Sequence, residues 1–292
     1  MNLTLEHHDV LTNGLQLHVV QCGPPDGPLV IMLHGFPEYW ETWHKQLPAL
    51  VAAGYRVWVP DQRGYNLSDK PRGIRNYTIP VLAADVIGLI DAAGRRQAHV
   101  ISHDWGAIVT WYLAAQFPER LASTTIINVP HPAAEAKNLW RVPTQMIHSW
   151  YMVFFQLPWL PEQWFRRRNW FVGRRFLART AHPGTFSPEE VERYVAAWSQ
   201  PKALTSMINW YRGLRYAGRL RWPRIKGPLQ VIWGKQDVFL KARMAEISMS
   251  QCDNGQLHFF PDNTHWVHLE NPNAVNKLLL QLLQANPAVE GS

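Results

Sequence analysis

Ser102-His103-Asp104-Trp105-Gly106 places a carboxylate between two small residues, directly after an apolar run and directly before a helical pattern. Small residues two positions to either side let a strand turn sharply into a helix and push the central side chain outward. An aspartate in that position can do what a serine cannot. With a reference pKa near ~3.9 it is already ionised at neutral pH, so it attacks an sp³ carbon without losing a proton and forms an alkyl ester. Taken alone, Asp104 also reads as a helix N-cap. Its companions decide between the two readings. Trp233-Gly234-Lys235-Gln236-Asp237 ends a later apolar run, and Thr264-His265-Trp266 follows the last one. Nucleophile, acid and histidine in that chain order, each just beyond a strand, form a set in which Asp237 orients His265. His265 then takes a proton from the water that hydrolyses the ester. His34-Gly35-Phe36-Pro37 follows an early strand. The Phe36 N–H, with the Trp105 N–H just after the nucleophile, is expected to hold the oxyanion of that step. His34 itself reads as a hydrogen-bonded core histidine, and His131, His148, His182 and His268 read as structural or surface residues.

Such a set works only on a scaffold that brings strand ends to one edge. Leu15–Gln21, Leu29–Leu33, Tyr55–Pro60, Ala98–Ser102 and Thr124–Val129 read as strands, with helical spacing over Val81–Ala93 and Ile108–Phe117. That alternation predicts an α/β fold, a mostly parallel sheet covered by helices on both faces. From 133 to 222 the rhythm breaks: the chain turns rich in Arg, Trp and Tyr, with helical spacing and no strand pattern. Strands return at Leu229–Trp233 and Gln256–Phe260, followed by a helical pattern over Val267–Leu283. The expectation is one core, 1–132 and 223–285, carrying a helical lid at 133–222 and ending in a flexible tail, 286–292.

The motifs HGFPE (His34–Glu38), DQRGYNLSDKP (Asp61–Pro71), SHDWGA (Ser102–Ala107), WGKQD (Trp233–Asp237) and THWVHLENP (Thr264–Pro272) carry a further signal. In them the sequence resembles the epoxide hydrolases of the α/β-hydrolase fold, across nearly the whole chain. Ser102 and Asn66 stand where that family more often has glycine, and serine is small enough for the turn. The resemblance implies a lid carrying two tyrosines that bind the epoxide oxygen. The segments Trp150–Gln156 and Asn209–Arg212 are similar to those that carry them, which nominates Tyr151 and Tyr211. It implies a pocket for a small apolar epoxide lined by Phe36, Trp105, Phe155 and Trp210, opening to a vicinal diol, with no metal or organic cofactor. Haloalkane dehalogenases share the aspartate nucleophile and the following tryptophan, although many carry a polar residue where Phe36 stands. A non-catalytic receptor on the same fold is the more distant alternative, and such a protein has no need of a complete triad.

Composition sets the outer bounds. At 292 residues and 47% hydrophobic, the chain is long enough for one large α/β core with an insertion. The net charge of +7 is local, since residues 133–222 hold fourteen Lys/Arg against five Asp/Glu. That stripe, Arg166-Arg167-Arg168 included, reads as a solvated helix face, because no nucleic-acid motif accompanies it. Cys22 and Cys252 lie far apart with no metal-ligand spacing and read as free thiols. The N-terminus has no apolar signal region and no apolar run approaches a membrane span, so the expectation is a cytoplasmic monomer or homodimer.

Overall fold

The computed structural model describes residues 3–133 and 150–289. His148, the first part of the expected lid and the last three residues of the expected tail lie outside them. The described elements are β1 (Glu6–Thr12), β2 (Leu15–Cys22), β3 (Leu29–Leu33), α1 (Leu47–Ala52), β4 (Arg56–Pro60), α2 (Ile79–Ala92), β5 (Ala98–His103), α3 (Trp105–Gln116) and β6 (Leu121–Ile127). After 149 come α4 (Trp150–Phe154), α5 (Leu160–Thr180), α6 (Pro188–Trp198), α7 (Ala203–Gly213), β7 (Leu229–Gly234), α8 (Arg243–Met249), β8 (Gly255–Phe260), α9 (Val267–Glu270) and α10 (Pro272–Ala285).

The eight strands form one sheet in the order β1-β2-β4-β3-β5-β6-β7-β8. The β1/β2 and β2/β4 pairs are antiparallel and the rest parallel. The side-chain period of two divides each central strand between two apolar layers. Leu29, Ile31 and Leu33 face the layer with α2 and α3, whereas Val30 and Met32 face Leu47, Leu50, Val275 and Leu279 from α1 and α10. The chain runs outward from β3 to β4 and then crosses to β5 on the other side of β3. The carboxyl ends of β3 and β5 therefore lie side by side, Leu33 pairing with Ser102, at the point where such sheets bind ligands.

Two features depart from the sequence reading. β1 was not expected: it is an edge strand with mostly exposed side chains, so it carries no apolar alternation. The pattern over Val267–Leu283 is two helices, broken at Asn271 (φ −133°, ψ 60°), because Pro272 pushes the preceding residue out of helical geometry. Between β6 and β7 the described residues form helices and no strand, which is the inserted lid of the predicted fold. α7 is buried at every residue but Thr205 and is clamped to the core. The Trp210 indole donates to the Arg63 carbonyl (2.9 Å), Tyr77 donates to Ser206 (3.0 Å), and Gly213 meets the Tyr77 backbone so closely that a Cβ would lie 2.3 Å from its carbonyl oxygen. A buried Arg212–Glu162 pair at 2.7 Å ties α7 to α5, and Arg212 also donates to the Phe155 carbonyl at 3.0 Å. Cys22 and Cys252 are free and buried, and burial pushes each thiol up to about 11.

Candidate active site

Asp104 stands at the end of β5 with φ 47° and ψ −120°, a conformation costly for any residue with a side chain. Its surroundings enforce it. The Gly106 N–H donates to the His34 carbonyl at 3.1 Å, and a Cβ on Gly106 would lie 2.5 Å from the Leu33 carbonyl oxygen. Ser102 fits because its hydroxyl turns into the sheet and donates to the Thr125 carbonyl at 3.0 Å. The turn aims the carboxylate at the loop after β3, where the Phe36 N–H donates to Asp104 Oδ1 at 2.7 Å. Gly35 lies beneath it with no room for a side chain, since a Cβ there would come within 2.2 Å of the Asp104 Cβ.

Asp237 follows β7 and His265 follows β8, three strands from β5. His265 Nδ1 lies 2.7 Å from Asp237 Oδ2, and Nε2 lies 3.6 Å from Asp104 Oδ2. Asp237 is itself fixed: Oδ1 accepts the Phe239 and Leu240 N–H groups (2.7 and 3.0 Å), and Oδ2 accepts from Asn128 Nδ2 at 2.7 Å. An acceptor on Nδ1 keeps a proton there and turns Nε2 toward Asp104. Burial alone would depress the His265 pKa, but the Asp237 charge and the two flanking carboxylates raise it well above its ordinary value. Burial would likewise raise Asp104; contact with His265, the charges of His265 and His103, and the Phe36 amide outweigh it and hold the carboxyl below the usual range.

Sequence reasoning quoted Glu38 and His103 within motifs but assigned them no role. His103 is fully buried under the triad, with Nδ1 3.0 Å from both Glu38 oxygens and Nε2 3.0 Å from the His265 carbonyl oxygen. Facing acceptors at both nitrogens, the ring makes both bonds only with a proton on each. Glu38, also buried, accepts from the Gly35 N–H and the Thr42 hydroxyl, and the charge of His103 holds it below its ordinary range against its burial. A buried ion pair thus joins the loop after β3, the nucleophile turn and the loop of His265. The available signal was an acid closing HGFPE and a histidine beside the nucleophile. His268 completes the cluster, 3.0 Å from the Thr42 hydroxyl. Glu38, His103 and His268 are the one grouping among the described residues close enough to share a metal ion; the bonds just given take up Glu38, His103 and His268 Nε2, while His268 Nδ1 has no hydrogen-bond partner among the described residues. His34 is a core histidine, Nδ1 bonded to the Gly35 carbonyl and Nε2 to the Gln62 N–H (both 3.0 Å).

Above the triad lies a cavity of about 840 Å³, lined by Asp104 and His265 on the core side and by Tyr151, Tyr211 and Phe155 from the lid. The Tyr151 and Tyr211 rings meet edge to face, 6.0 Å between centroids, and Phe36 packs against Tyr211 at 5.3 Å. Burial, then the charge of Asp104, raises the Tyr211 pKa well above its ordinary value, so its hydroxyl keeps its proton. The structure thus brings Asp104, Asp237, His265, Phe36, Phe155 and both tyrosines to one place. It does not put the Trp105 and Trp210 side chains on the cavity wall. Trp105 packs behind Tyr211 at 4.8 Å, and Trp210 points into the core toward Arg63. On α7 the Trp210 ring meets Tyr65 at 5.4 Å, and Tyr211 is the one of the pair that reaches the cavity.

The comparisons with known proteins agree with this fold. Residues 28–272 match the alpha/beta hydrolase fold family. The chain is 45% identical over 276 residues to the AB hydrolase superfamily protein YfhM of Bacillus subtilis, covering 94% of this chain and 96% of that protein. It is 34% identical over 278 residues to human Epoxide hydrolase 4, covering 93% and 76%. The crystal structure of the Bacillus megaterium epoxide hydrolase superposes with a TM-score of 0.88 at 27% identity, over 95% of this chain and all of that one. The chain belongs to the α/β-hydrolase family and, within it, to the epoxide hydrolases.

Proposed function

We propose that the protein opens apolar epoxides to vicinal diols through an alkyl ester on Asp104, without metal or organic cofactor. The observation that carries this reading is a carboxylate facing two tyrosines across one aromatic cavity. Asp104 Oδ2 attacks a ring carbon and the C–O bond breaks. The departing alkoxide takes a proton from Tyr151 or Tyr211, since a poor leaving group needs a donor as its charge develops. In the second half, water loses a proton to His265 Nε2 and attacks the Asp104 carbonyl carbon. The oxyanion forms on the oxygen that Phe36 N–H already holds, joined by Trp105 N–H, and collapses to free carboxylate and diol.

The electrostatics order these steps. While Asp104 is ionised, His265 lies between two carboxylates that favour its imidazolium form, which cannot act as a base. Esterification removes one of those charges and lowers the His265 pKa, so its proton passes to the tyrosinate that ring opening leaves, and the neutral base stands free when the ester exists. Haloalkane dehalogenation uses the same carboxylate but needs side-chain donors for a halide, and here the Trp105 indole sits behind Tyr211.

His265→Gln should separate the halves: one turnover of ring opening, then a stall. Mass spectrometry of the peptide containing Asp104 should show an added mass equal to the whole epoxide, because its oxygen stays on the product. Asp104→Ala should show none. An adduct elsewhere, or no adduct from an active wild type, would overturn the covalent mechanism. A rapid alkyl adduct from bromoalkanes with none from epoxides would favour dehalogenation.

A further inference from the structure

The large apolar side chains left exposed among the described residues are unevenly placed: seven of thirteen fall between 150 and 171. Trp150 is 57% exposed, Val153 74% and Trp159 67%, with Trp164 and Phe171 also open. Trp150, Trp164 and Phe171 line the mouth of the active-site cavity, and so do Arg167, Arg168, Arg175 and Arg179. Within α5 the backbone leaves helical geometry from Arg167 to Trp170, with positive φ at Arg168, Asn169 and Trp170. These four arginines, and Arg166, are exposed and make no ion pair or hydrogen bond among the described residues; Arg175 lies over the Phe171 ring at 5.7 Å. Glu162 is the one acid between 150 and 180, and it is buried against Arg212.

We propose that this lid face, surrounding the cavity mouth, docks on an anionic lipid bilayer. Exposed tryptophans and aliphatic residues beside exposed arginines that pair with no described residue match an interface between acyl chains and charged headgroups. Seven such residues between 150 and 171, three of them on the wall of one cavity, are not the scatter of single apolar residues that any surface carries. A second copy of the chain is a poorer occupant, because a twofold contact would set arginines against arginines with no acid to receive them. Single-stranded nucleic acid suits the arginines and rings but gives Val153 and Leu157 nothing to stack on. Docked this way, the cavity opens toward the membrane rather than toward water.

The test is flotation of the full chain with phosphatidylcholine vesicles, with and without a third of phosphatidylserine. The wild type should float with the anionic vesicles at low salt and be released as salt rises. Arg167→Gln with Arg168→Gln should weaken partitioning on the order of 25-fold, about fivefold for each charge removed. Val153→Gln with Trp159→Asn changes residues outside the cavity wall, and asparagine tolerates the left-handed backbone at 159 (φ 51°). That variant should bind vesicles roughly tenfold more weakly while turning over a water-soluble epoxide as the wild type does. Wild type that stays with the soluble fraction, or both variants floating as wild type does, would overturn the proposal. Retention on single-stranded RNA without vesicle binding would hand the face to nucleic acid. Dimerisation in solution lost in Val153→Gln with Trp159→Asn, again without flotation, would hand it to a second copy. Flotation reads no turnover, so a chain that floats yet opens no epoxide keeps this inference and loses the catalytic one.

Discussion

At Asp104, one charge sets the protonation of its neighbour. His265 is held as imidazolium by Asp237 on one side and Asp104 on the other, 2.7 and 3.6 Å away. Asp104→Asn keeps the shape and removes one carboxylate, as esterification does. The His265 ring in that variant should titrate at lower pH than in the wild type, followed by nitrogen-15 chemical shifts of the imidazole. An unchanged titration would mean that Asp237 alone governs the base. Glu38 makes a second case. Its folded pKa lies below the unfolded value, so the stability it contributes is complete above that unfolded value and is lost as pH falls through the folded one. Glu38→Gln removes the carboxylate that pairs with His103 inside the core, a loss of about 3 kcal/mol at neutral pH. Urea denaturation across the acid range should show the variant less stable near neutrality and with a flatter acid limb. Parallel curves would assign Glu38 no titrating role.

Among the elements, the strand-to-helix turn depends on what lies opposite it as much as on its own residues. Gly35 belongs to the loop after β3, yet a Cβ there would meet the Asp104 carboxylate at 2.6 Å rather than any flexible chain end. Gly35→Ala should therefore displace the nucleophile by a fraction of an ångström or more. Ester formation in single-turnover kinetics should fall on the order of 100-fold. Thermal stability should fall far less, because the clash is with one side chain. This distinction was not legible in the sequence, where Gly35 and Gly106 look alike. What was legible is what repeats locally: central strands as apolar runs, Asp104 between small residues, Asp237 and His265 just past later strands. β1 lacked apolar alternation, but Asn13-Gly14 between two extended runs announced a tight hairpin, and Thr12 pairs with Leu15 across it. The break in α5 left little mark: Asn169 tolerates a positive φ, but Arg168 and Trp170 on either side of it do not favour one. Trp105 and Trp210 misled because adjacency in a motif says nothing about which face of a helix a side chain occupies.

Across the whole molecule, the basic excess and the aromatic cavity make different demands on a substrate. The charge sits at the mouth, on Arg167, Arg168, Arg175 and Arg179, whereas Phe36, Phe155, Tyr151 and Tyr211 surround the reacting carboxylate. A carboxylated epoxide is thus attracted on approach and penalised on entry, where it meets the Asp104 charge and few donors. A neutral phenyl epoxide of similar size meets neither effect. Attraction at an exposed rim is screened within about 8 Å at physiological salt, while a cost inside an aromatic cavity is screened far less. Raising salt should therefore lower kcat/KM for the carboxylated epoxide and leave the phenyl epoxide nearly unchanged, so that the neutral preference widens. The measurement is the ratio of the two specificity constants from low to high salt. A ratio that stays flat would place the arginines outside the approach path. A ratio that narrows as salt rises would mean that the penalty inside the cavity, not the attraction at its rim, is the one salt relieves, and that the carboxylate of Asp104 is felt through open water.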